Sequence, residues 1–254
     1  MKRGAVSQQS HDRMSDGQVR VRRAYFDCRF GQLNVRTAFP ASGGFDERTT
    51  LLCVHAEWAS SRLFARWLPA IAHDRSVYAP DLPGCGESDP PARQPSIAEY
   101  AGALVDFANT MHFRQLDVLA CGAGALIAAE LALAAPQTVR RLIFIPMSPA
   151  SADAQSASQG RAWPAEGEAE LLHNGPAARW LTAAAREYKP GERLALLKQP
   201  TLLLCASDES GEGARARQFL RAARSADLEQ RSMELFGLAG QALAQRVRDF
   251  LDAR

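Results

Sequence analysis

A short strand-like run at residues 116–120, apolar except for Asp117, leads through a turn with two glycines into an apolar stretch at residues 125–135. The first run has the length of a buried strand. The second has the length of a helix that stops before Pro136, which cannot continue it. Parallel strands need a crossover connection of this kind, because the chain must return to the same edge of the sheet. The unit therefore favours a sheet that is largely parallel.

Strand-like apolar runs alternate with helical spacing along most of the chain, after a hairpin at its start. Strands are predicted at residues 19–30, 32–39, 49–54, 77–80, 116–120, 141–146, 201–206 and 229–236. Helices are predicted at residues 60–72, 96–111, 125–135, 219–223 and 243–251, and Ser96 with Glu99 forms a capping box. This alternation predicts an α/β fold with a mostly parallel eight-stranded sheet flanked by helices.

The ends of the chain and one internal segment depart from this alternation. Residues 1–18 lack periodicity and are expected to form a disordered tail before a single domain at residues 19–254. Between residues 148 and 197 the sequence turns to Ser, Ala, Asp and Gln, followed by two short helical stretches at residues 168–173 and 177–188. We interpret residues 148–197 as a short helical cap insertion over the carboxyl edge of the sheet.

Charge and hydropathy exclude two classes of partner. The 30 Lys and Arg residues nearly balance the 28 Asp and Glu residues, which leaves a formal net charge of +2. Nucleic-acid binding needs basic residues concentrated on one face, so no nucleic-acid partner is expected. No segment approaches the roughly 18 consecutive apolar residues of a membrane span, so no membrane association is expected.

The five cysteines form no C-x-x-C pair, and Cys53, Cys121 and Cys205 lie in strand-like runs. Buried free thiols in a reducing compartment account for this pattern, so a cytoplasmic location is expected. The five histidines lack metal-ligand spacing, and the glycine turn at residues 84–86 does not lead into a phosphate-binding helix. No metal and no cofactor are therefore expected.

Four segments carry motifs of a known fold. They are L-L-C-V-H-A at residues 51–56, A-P-D-L-P-G-C-G-E-S-D at 79–89, A-C-G-A-G at 120–124 and Q-P-T-L-L-L-C-A-S-D at 199–208. In this order they resemble, respectively, the strand ending in His-Gly, the D-x-P-G-x-G-x-S-D turn, the G-x-S-x-G nucleophile elbow and the strand before the triad acid of the α/β-hydrolase-fold superfamily. The resemblance implies that fold for nearly the whole chain beyond the tail.

The resemblance also implies a degenerate catalytic triad. The nucleophile position holds Gly122 and the acid position holds Asp208, whereas the base should come from the loop at residues 237–242, where Gln241 is the best occupant. Glycine has no atom that attacks a carbonyl, and glutamine accepts no proton at neutral pH. Two of the three catalytic roles are therefore expected to be vacant.

The loop after the third strand is expected to supply the oxyanion hole together with the backbone N–H of Ala123. Ala56 stands where the superfamily has a glycine that lets the loop approach closely. Glu57 would bring a carboxylate close to the place where negative charge develops in acyl transfer, which disfavours that reaction.

Three neighbours complete the candidate pocket. His55 is expected at the pocket mouth, where it holds the loop together by hydrogen bonds rather than acting on a substrate. Trp58 either lines a cavity or packs in the core. Cys121 precedes the apex of the turn and is expected to be a small buried apolar side chain rather than a nucleophile.

Three functions remain open on these residues. The first is a non-hydrolytic pseudoenzyme that binds a small apolar ligand or a partner protein. The second is an enzyme of hydrolase, lyase or isomerase type with a non-standard site around His55, Glu57 and Asp208. The third is a structural paralogue that dimerises with an active hydrolase, which would make it part of a homo- or hetero-oligomer.

Overall fold

The computed structural model describes residues 19–41, 48–147, 178–208, 210–237 and 240–253. Eight strands form one sheet in the spatial order β1-β2-β4-β3-β5-β6-β7-β8. They are β1 (Val21–Cys28), β2 (Gly31–Ala38), β3 (Thr50–Val54), β4 (Val77–Pro80), β5 (Leu116–Cys121), β6 (Val139–Ile145), β7 (Thr201–Cys205) and β8 (Arg224–Asp227).

The direction of the strands follows from their connections. β2 pairs antiparallel with β1, to which a tight hairpin joins it, and it also pairs antiparallel with β4. The other neighbouring pairs are parallel, from β4 with β3 through to β7 with β8. The sheet is therefore mixed and mostly parallel, which confirms the predicted α/β-hydrolase fold class.

Helices lie between the strands. They are α1 (Leu68–Ile71), α2 (Ile97–Thr110), α3 (Gly124–Ala134), α4 (Ala178–Glu187), α5 (Pro190–Leu194), α6 (Ser210–Phe219) and α7 (Gly240–Leu251), with 3-10 turns at Ser61–Phe64 and Ser232–Glu234. The predicted capping box at the start of α2 is present, because the Ser96 hydroxyl accepts from the Glu99 amide and the Glu99 carboxylate accepts from the Ser96 amide.

The core has two halves, one on each face of the sheet. On one face Val118 of β5 belongs to an apolar cluster with Leu104 of α2. On the other face Leu119 belongs to a cluster with Ile71 of α1 and Val247 of α7. Every residue of β5 is buried, which explains why the strand is apolar except for Asp117, whose carboxylate pairs with Arg140.

The end of the domain differs from the sequence-based expectation. The last strand is Arg224–Asp227, not residues 229–236, and residues 220–223 lie outside α6. β8 is a short polar edge strand. The apolar residues Leu235 and Phe236 lie outside the sheet and are buried in the core. Phe236 meets Trp67 edge to face, with ring centroids 5.5 Å apart. The apolar residues of the segment at 229–236 therefore fill space in the core and do not form a strand of the sheet.

Two segments of the expected organisation lie outside the described residues. These are the tail at residues 1–18 and residues 148–177, which hold the larger part of the expected cap and its helical stretch at 168–173. The remainder of the cap segment forms α4 and α5. Within the described ranges, no helix combines the length and the apolar character needed to cross a bilayer.

Candidate functional site

The turn between β5 and α3 lies at the carboxyl edge of the sheet. Its apex, Gly122, has φ = +51°, in the left-handed region that glycine occupies without steric cost. The Gly122 amide donates to the carbonyl oxygen of Ile145 on β6. A Cβ atom at Gly124 would lie 2.4 Å from the carbonyl oxygen of His55, so glycine lets α3 start directly against the end of β3. The turn is therefore held between two neighbouring strands.

Glu57, in the loop after β3, brings its carboxylate to the apex of this turn. Its Oε2 atom accepts a hydrogen bond of 2.9 Å from the backbone N–H of Ala123. The same atom lies 2.7 Å from the position that a Cβ atom would take at Gly122. The carboxylate thus occupies the space into which a side chain at residue 122 would project.

The space around the apex is closed on two further sides. A Cβ atom at Gly122 would lie 3.0 Å from Cβ of Ala56 and 3.1 Å from the carbonyl oxygen of Met147. Ala56 is fully buried, so its methyl group takes up space that a glycine would leave free. In this arrangement a side chain at position 122 has no room without movement of its neighbours.

The ionisation of Glu57 is set mainly by its burial. Only 8% of the residue is exposed, and loss of hydration raises the pKa of its carboxyl. Hydrogen bonds with the backbone of Ala123 and of Glu57 itself lower that pKa by smaller amounts, the charge of Glu212 raises it and that of Arg186 lowers it. The net effect is that the pKa of the Glu57 carboxyl, which lies next to the start of α3, is above its usual range.

His55 uses both of its ring nitrogens to hold the loop. Nδ1 lies 2.8 Å from the carbonyl oxygen of Ala56, which can only accept, and Nε2 accepts from the backbone N–H of Leu82 at 2.9 Å. These partners define the tautomer with the proton on Nδ1. The ring is fully buried, and burial lowers the pKa of His55, so the imidazole stays neutral.

Asp208, which follows β7, is engaged by the segment after β8. Its Oδ1 accepts from the Ser232 amide at 2.8 Å, and its Oδ2 accepts from the Ser232 hydroxyl at 3.1 Å. The guanidinium of Arg231 lies 3.7 Å from Oδ2. Among the described residues these are its polar partners, and Gln241 is not one of them. Gln241 lies exposed in the first turn of α7 rather than in a loop.

The remaining predicted positions are buried in the core. Cys121 and Trp58 both belong to the apolar cluster that also contains Trp67. Cys121 has no exposed surface, and burial raises the pKa of its thiol well above the usual value. All five cysteines are free.

Asp81 was not predicted as a site residue, yet its carboxylate accepts hydrogen bonds from three segments around the site. Its Oδ1 accepts from the Ser61 amide at 2.7 Å, and its Oδ2 accepts from the Asn34 side chain at 2.8 Å and from the Glu87 amide at 2.9 Å. The turn at residues 79–89 is thereby fastened to β2 and to the loop after β3. The motif at residues 79–89 predicts the turn, but the groups that Asp81 binds become known only from the folded structure.

Across the residues that the structure describes, no three His, Cys, Asp or Glu side chains lie close enough to share a metal ion. A cleft of about 720 Å³ is lined by residues that include Lys198, Thr201, Phe219 and Arg221. Thr201 begins β7, so this cleft lies at the amino edge of the sheet, away from the turn between β5 and α3.

The sheet order, the turn at its carboxyl edge and the loop after β3 define the class of the protein. The sequence matches the alpha/beta hydrolase fold family over residues 49–243, which is more than half of the chain. The chain belongs to the α/β-hydrolase-fold family.

Solved structures agree with this fold. A hydrolase from Pseudomonas aeruginosa is similar with a TM-score of 0.74 at 20% identity, covering 91% of this chain and 98% of that one. The enol-lactonase of Burkholderia xenovorans is similar with a TM-score of 0.76 at 16% identity, covering 90% of this chain and all of that one. At these identities the likeness shows the fold alone.

Curated relatives match over shorter segments. The chain is 31% identical over 116 residues to a 2-hydroxymuconate semialdehyde hydrolase of a Pseudomonas species, which covers 44% of this chain and 40% of that protein. It is 29% identical over 110 residues to an uncharacterized protein of Mycobacterium tuberculosis, which covers 43% of this chain and 31% of that protein. The matched segment thus spans less than half of either relative.

Proposed function

We propose that this protein is a non-hydrolytic member of the α/β-hydrolase fold that binds a small apolar ligand or a partner protein. The observation that carries the proposal is the hydrogen bond from the Ala123 amide to the carboxylate of Glu57. Ala123 follows the apex of the turn, and its amide is the group that would stabilise an oxyanion in acyl transfer. A carboxylate of the protein itself already takes up this donor.

The nucleophile position supports the same proposal. Gly122 has no side chain, and the space next to it is taken by Oε2 of Glu57. Negative charge developing on a substrate oxygen would meet the Glu57 carboxylate at close range, which raises the energy of the transition state. Acyl transfer at this turn is therefore disfavoured in two ways: residue 122 has no group that attacks the substrate, and the negative charge on the substrate oxygen is not stabilised.

No base is available at the expected place. His55 has both ring nitrogens in hydrogen bonds to backbone groups, and Gln241 is exposed on α7. The acid position, Asp208, binds Ser232 instead of orienting an imidazole. Loss of nucleophile and base together leaves only the small rate enhancement that positioning provides.

The test is ester hydrolysis with p-nitrophenyl acetate and butyrate, together with labelling by a fluorophosphonate probe. We expect no labelling and no turnover above that of Glu57→Gln and Asp208→Asn variants. Labelling of the protein, or hydrolysis that falls when Asp208 is changed to Asn, overturns the proposal. The Asp208→Asn variant is informative because Asn keeps one acceptor for Ser232 while removing the charge.

One observation favours the enzyme alternative in a narrower form. Glu57 is a buried carboxyl with a raised pKa, as general bases in proton-transfer enzymes often are. His55 is not available as its partner, so Glu57 would act alone. Elimination of 5-nitrobenzisoxazole, which reports a carboxylate base, tests this: turnover abolished by Glu57→Gln and kept in Glu212→Gln would favour the enzyme.

The proposal extends to the location of the protein and to its association with other chains. A cytoplasmic location fits the five free thiols. Association with a second copy or with an active relative is tested by light scattering of the purified protein at several concentrations.

A further inference from the structure

β1 is an edge strand of the sheet with one free side. It runs over Val21–Cys28 and, among the described residues, pairs with β2 alone. The opposite edge strand, β8, is protected against pairing because it has only four residues and its Asp227 forms an ion pair with Arg217. β1 is twice as long as β8, and its Tyr25 is 53% exposed. A long edge strand of this kind is a template for pairing with another strand.

The backbone of β2 shows which residues of β1 face the free side. In an antiparallel ladder the N–H and C=O groups of one residue point to the same neighbouring strand, and this direction alternates along the chain. The Asn34 carbonyl of β2 accepts from the Asp81 amide, on the side of β2 away from β1. Leu33 therefore faces β1, where it lies opposite Phe26. Even-numbered residues of β1 thus bond to β2, and its odd-numbered residues direct their N–H and C=O groups to the free side.

Three odd-numbered residues, Arg23, Tyr25 and Asp27, also place their side chains on one exposed face of β1. Arg23 donates to Glu87 from Nη1. Asp27 accepts from the Gln32 side chain with Oδ1. Within the described part of the chain, no residue bonds to Nε or Nη2 of Arg23 or to Oδ2 of Asp27. These atoms are therefore available to a second strand.

The side chains of β1 are complementary to themselves in one register. Outward-facing residues must lie opposite each other, so the numbers of two opposed residues add up to an even sum. The two such registers with the longest overlap are centred on Ala24 and on Tyr25. In the register centred on Tyr25, Arg23 of each copy faces Asp27 of the other, and the two Tyr25 rings meet at the two-fold axis. In the register centred on Ala24, Arg23 faces Tyr25 and Asp27 faces Val21, so neither charge meets an opposite charge.

We propose that β1 is the interface of a reversible homodimer, in which the two strands pair antiparallel about Tyr25 and join the two sheets into one continuous sheet. A second copy is the partner that this surface fits, because Arg23 and Asp27 make it complementary to itself about a two-fold axis. Three strands separate β1 from β5, so the interface goes beyond the proposed function and does not depend on it.

The first experiment measures the oligomeric state of the full chain by sedimentation velocity at concentrations from about 1 µM to about 500 µM. We expect a reversible dimer. Its dissociation constant should rise at least about tenfold in Asp27→Lys, because the lysine faces Arg23 of the other copy at both symmetry-related pairs. Asp227→Lys makes the same charge change on the other edge strand and should alter the constant by less than about twofold.

A mixing experiment tests the register. Arg23→Glu places two carboxylates opposite each other, so this variant should also dissociate. A mixture of Arg23→Glu with Asp27→Lys restores opposite charges at both pairs. We therefore expect the mixture to form dimers at concentrations at which each variant alone is a monomer. Circular dichroism of each variant confirms beforehand that it is folded.

Crosslinking provides a measurement without a charge change at the pairs. In the proposed register Tyr25 lies opposite its own copy, and the Cα atoms of such a hydrogen-bonded pair are about 5.5 Å apart. Tyr25→Cys should therefore form an intermolecular disulfide under mild oxidation. Arg23→Cys is the matched control, because residue 23 lies about 14 Å along the strand from its copy, which is too far for a disulfide. The natural chain with its free cysteines gives the background.

The outcomes separate this inference from the proposed function. A natural chain that stays monomeric over the whole concentration range overturns the interface, and so does an Asp27→Lys dimer as tight as the natural one. Crosslinking of Arg23→Cys that equals or exceeds that of Tyr25→Cys, or a mixture of folded variants that does not associate, overturns the register and with it the proposal. Fluorophosphonate labelling or ester hydrolysis that depends on Asp208 overturns the non-hydrolytic function without bearing on β1.

Discussion

Oε2 of Glu57 lies 2.7 Å from the point where a Cβ atom of residue 122 would stand, so the carboxylate at position 57 and the absence of a side chain at Gly122 depend on each other. Gly122 also has φ = +51°, which a residue with a Cβ atom adopts only with strain. A side chain at position 122 is therefore unfavourable for two reasons: the backbone there is strained for any residue with a Cβ atom, and Glu57 fills the space that the side chain would need.

Replacing Gly122 by Ala is expected to lower the free energy of unfolding by at least about 2 kcal/mol, from left-handed strain and from overpacking against Glu57. In a Glu57→Ala background the same substitution should cost less by about 1 kcal/mol, because one of its close contacts is gone. Part of the cost remains, since Ala56 and the Met147 carbonyl still crowd the position. Urea unfolding of the two single variants and the double variant measures the coupling.

Gly211→Ala in α6 is the matched control for this cycle. A Cβ atom there would meet nothing within 4 Å, and the residue lies in a helix. Alanine should therefore stabilise the protein by about 0.5–1 kcal/mol. Strictly additive effects of the changes at Gly122 and Glu57 would contradict the close approach of the Glu57 carboxylate to the Cβ position of residue 122.

The pH dependence of stability should report the burial of Glu57. Its pKa is raised in the folded state from an ordinary value of 4.5, so its contribution to stability is fully present below that value and is lost as the pH rises through the raised pKa. Glu57→Gln keeps the acceptor for Ala123 but does not ionise. The variant should gain stability relative to the natural chain between pH 4 and pH 8, measured by urea unfolding at each pH. Glu212→Gln, which removes an exposed carboxylate, should have no such rising difference.

Much of the fold could be predicted because strand burial leaves a direct trace in the sequence. β5 is buried on both faces and is apolar except for Asp117, and the pair Ser96 and Glu99 marks the start of α2. The last strand could not be found in this way. β8 is an exposed polar edge strand, and the more apolar residues Leu235 and Phe236 directly follow the 3-10 turn Ser232–Glu234 and are buried in the core.

The sequence predicts where the candidate site lies along the chain, but not which of its groups form hydrogen bonds with one another. The turn at Gly122 and the loop with Glu57 follow from motif spacing, yet the hydrogen bond to Ala123 depends on how closely that loop approaches α3. The partner of His55 is the Leu82 amide, 27 positions along the chain, and only the assembled sheet brings the two together. Local patterns hold no information about such pairs.

His55 should behave as a structural residue. His55→Leu leaves the Leu82 amide without a partner, whereas the Ala56 carbonyl keeps its hydrogen bond from the Ala59 amide, and the change is expected to cost about 1–3 kcal/mol of stability. Since burial lowers the pKa of His55 from 6.5, the natural chain loses stability as the pH falls through 6.5 towards the lowered value, and the variant lacks that loss.

His73→Gln is the control for this change, because the His73 side chain is 59% exposed. It should alter the free energy of unfolding by less than about 0.5 kcal/mol. The His55 effect is read from urea unfolding at pH 5.5 and 8. A His55→Leu protein as stable as the natural chain at pH 8 would contradict the two backbone hydrogen bonds.

Asp208 is expected to stabilise the segment between β8 and α7. Ser232 is 1% exposed and donates both its amide and its hydroxyl to this carboxylate, so Asp208→Ala leaves two buried donors unpaired. The expected loss is about 1–3 kcal/mol, of which Asp208→Asn restores a part because the amide oxygen still accepts from Ser232. Asp227→Ala, which breaks an exposed ion pair with Arg217, is the control and should cost less than about 1 kcal/mol. Urea unfolding of the three variants gives this order, and equal stability of Asp208→Ala and the natural chain would remove Asp208 from any structural role.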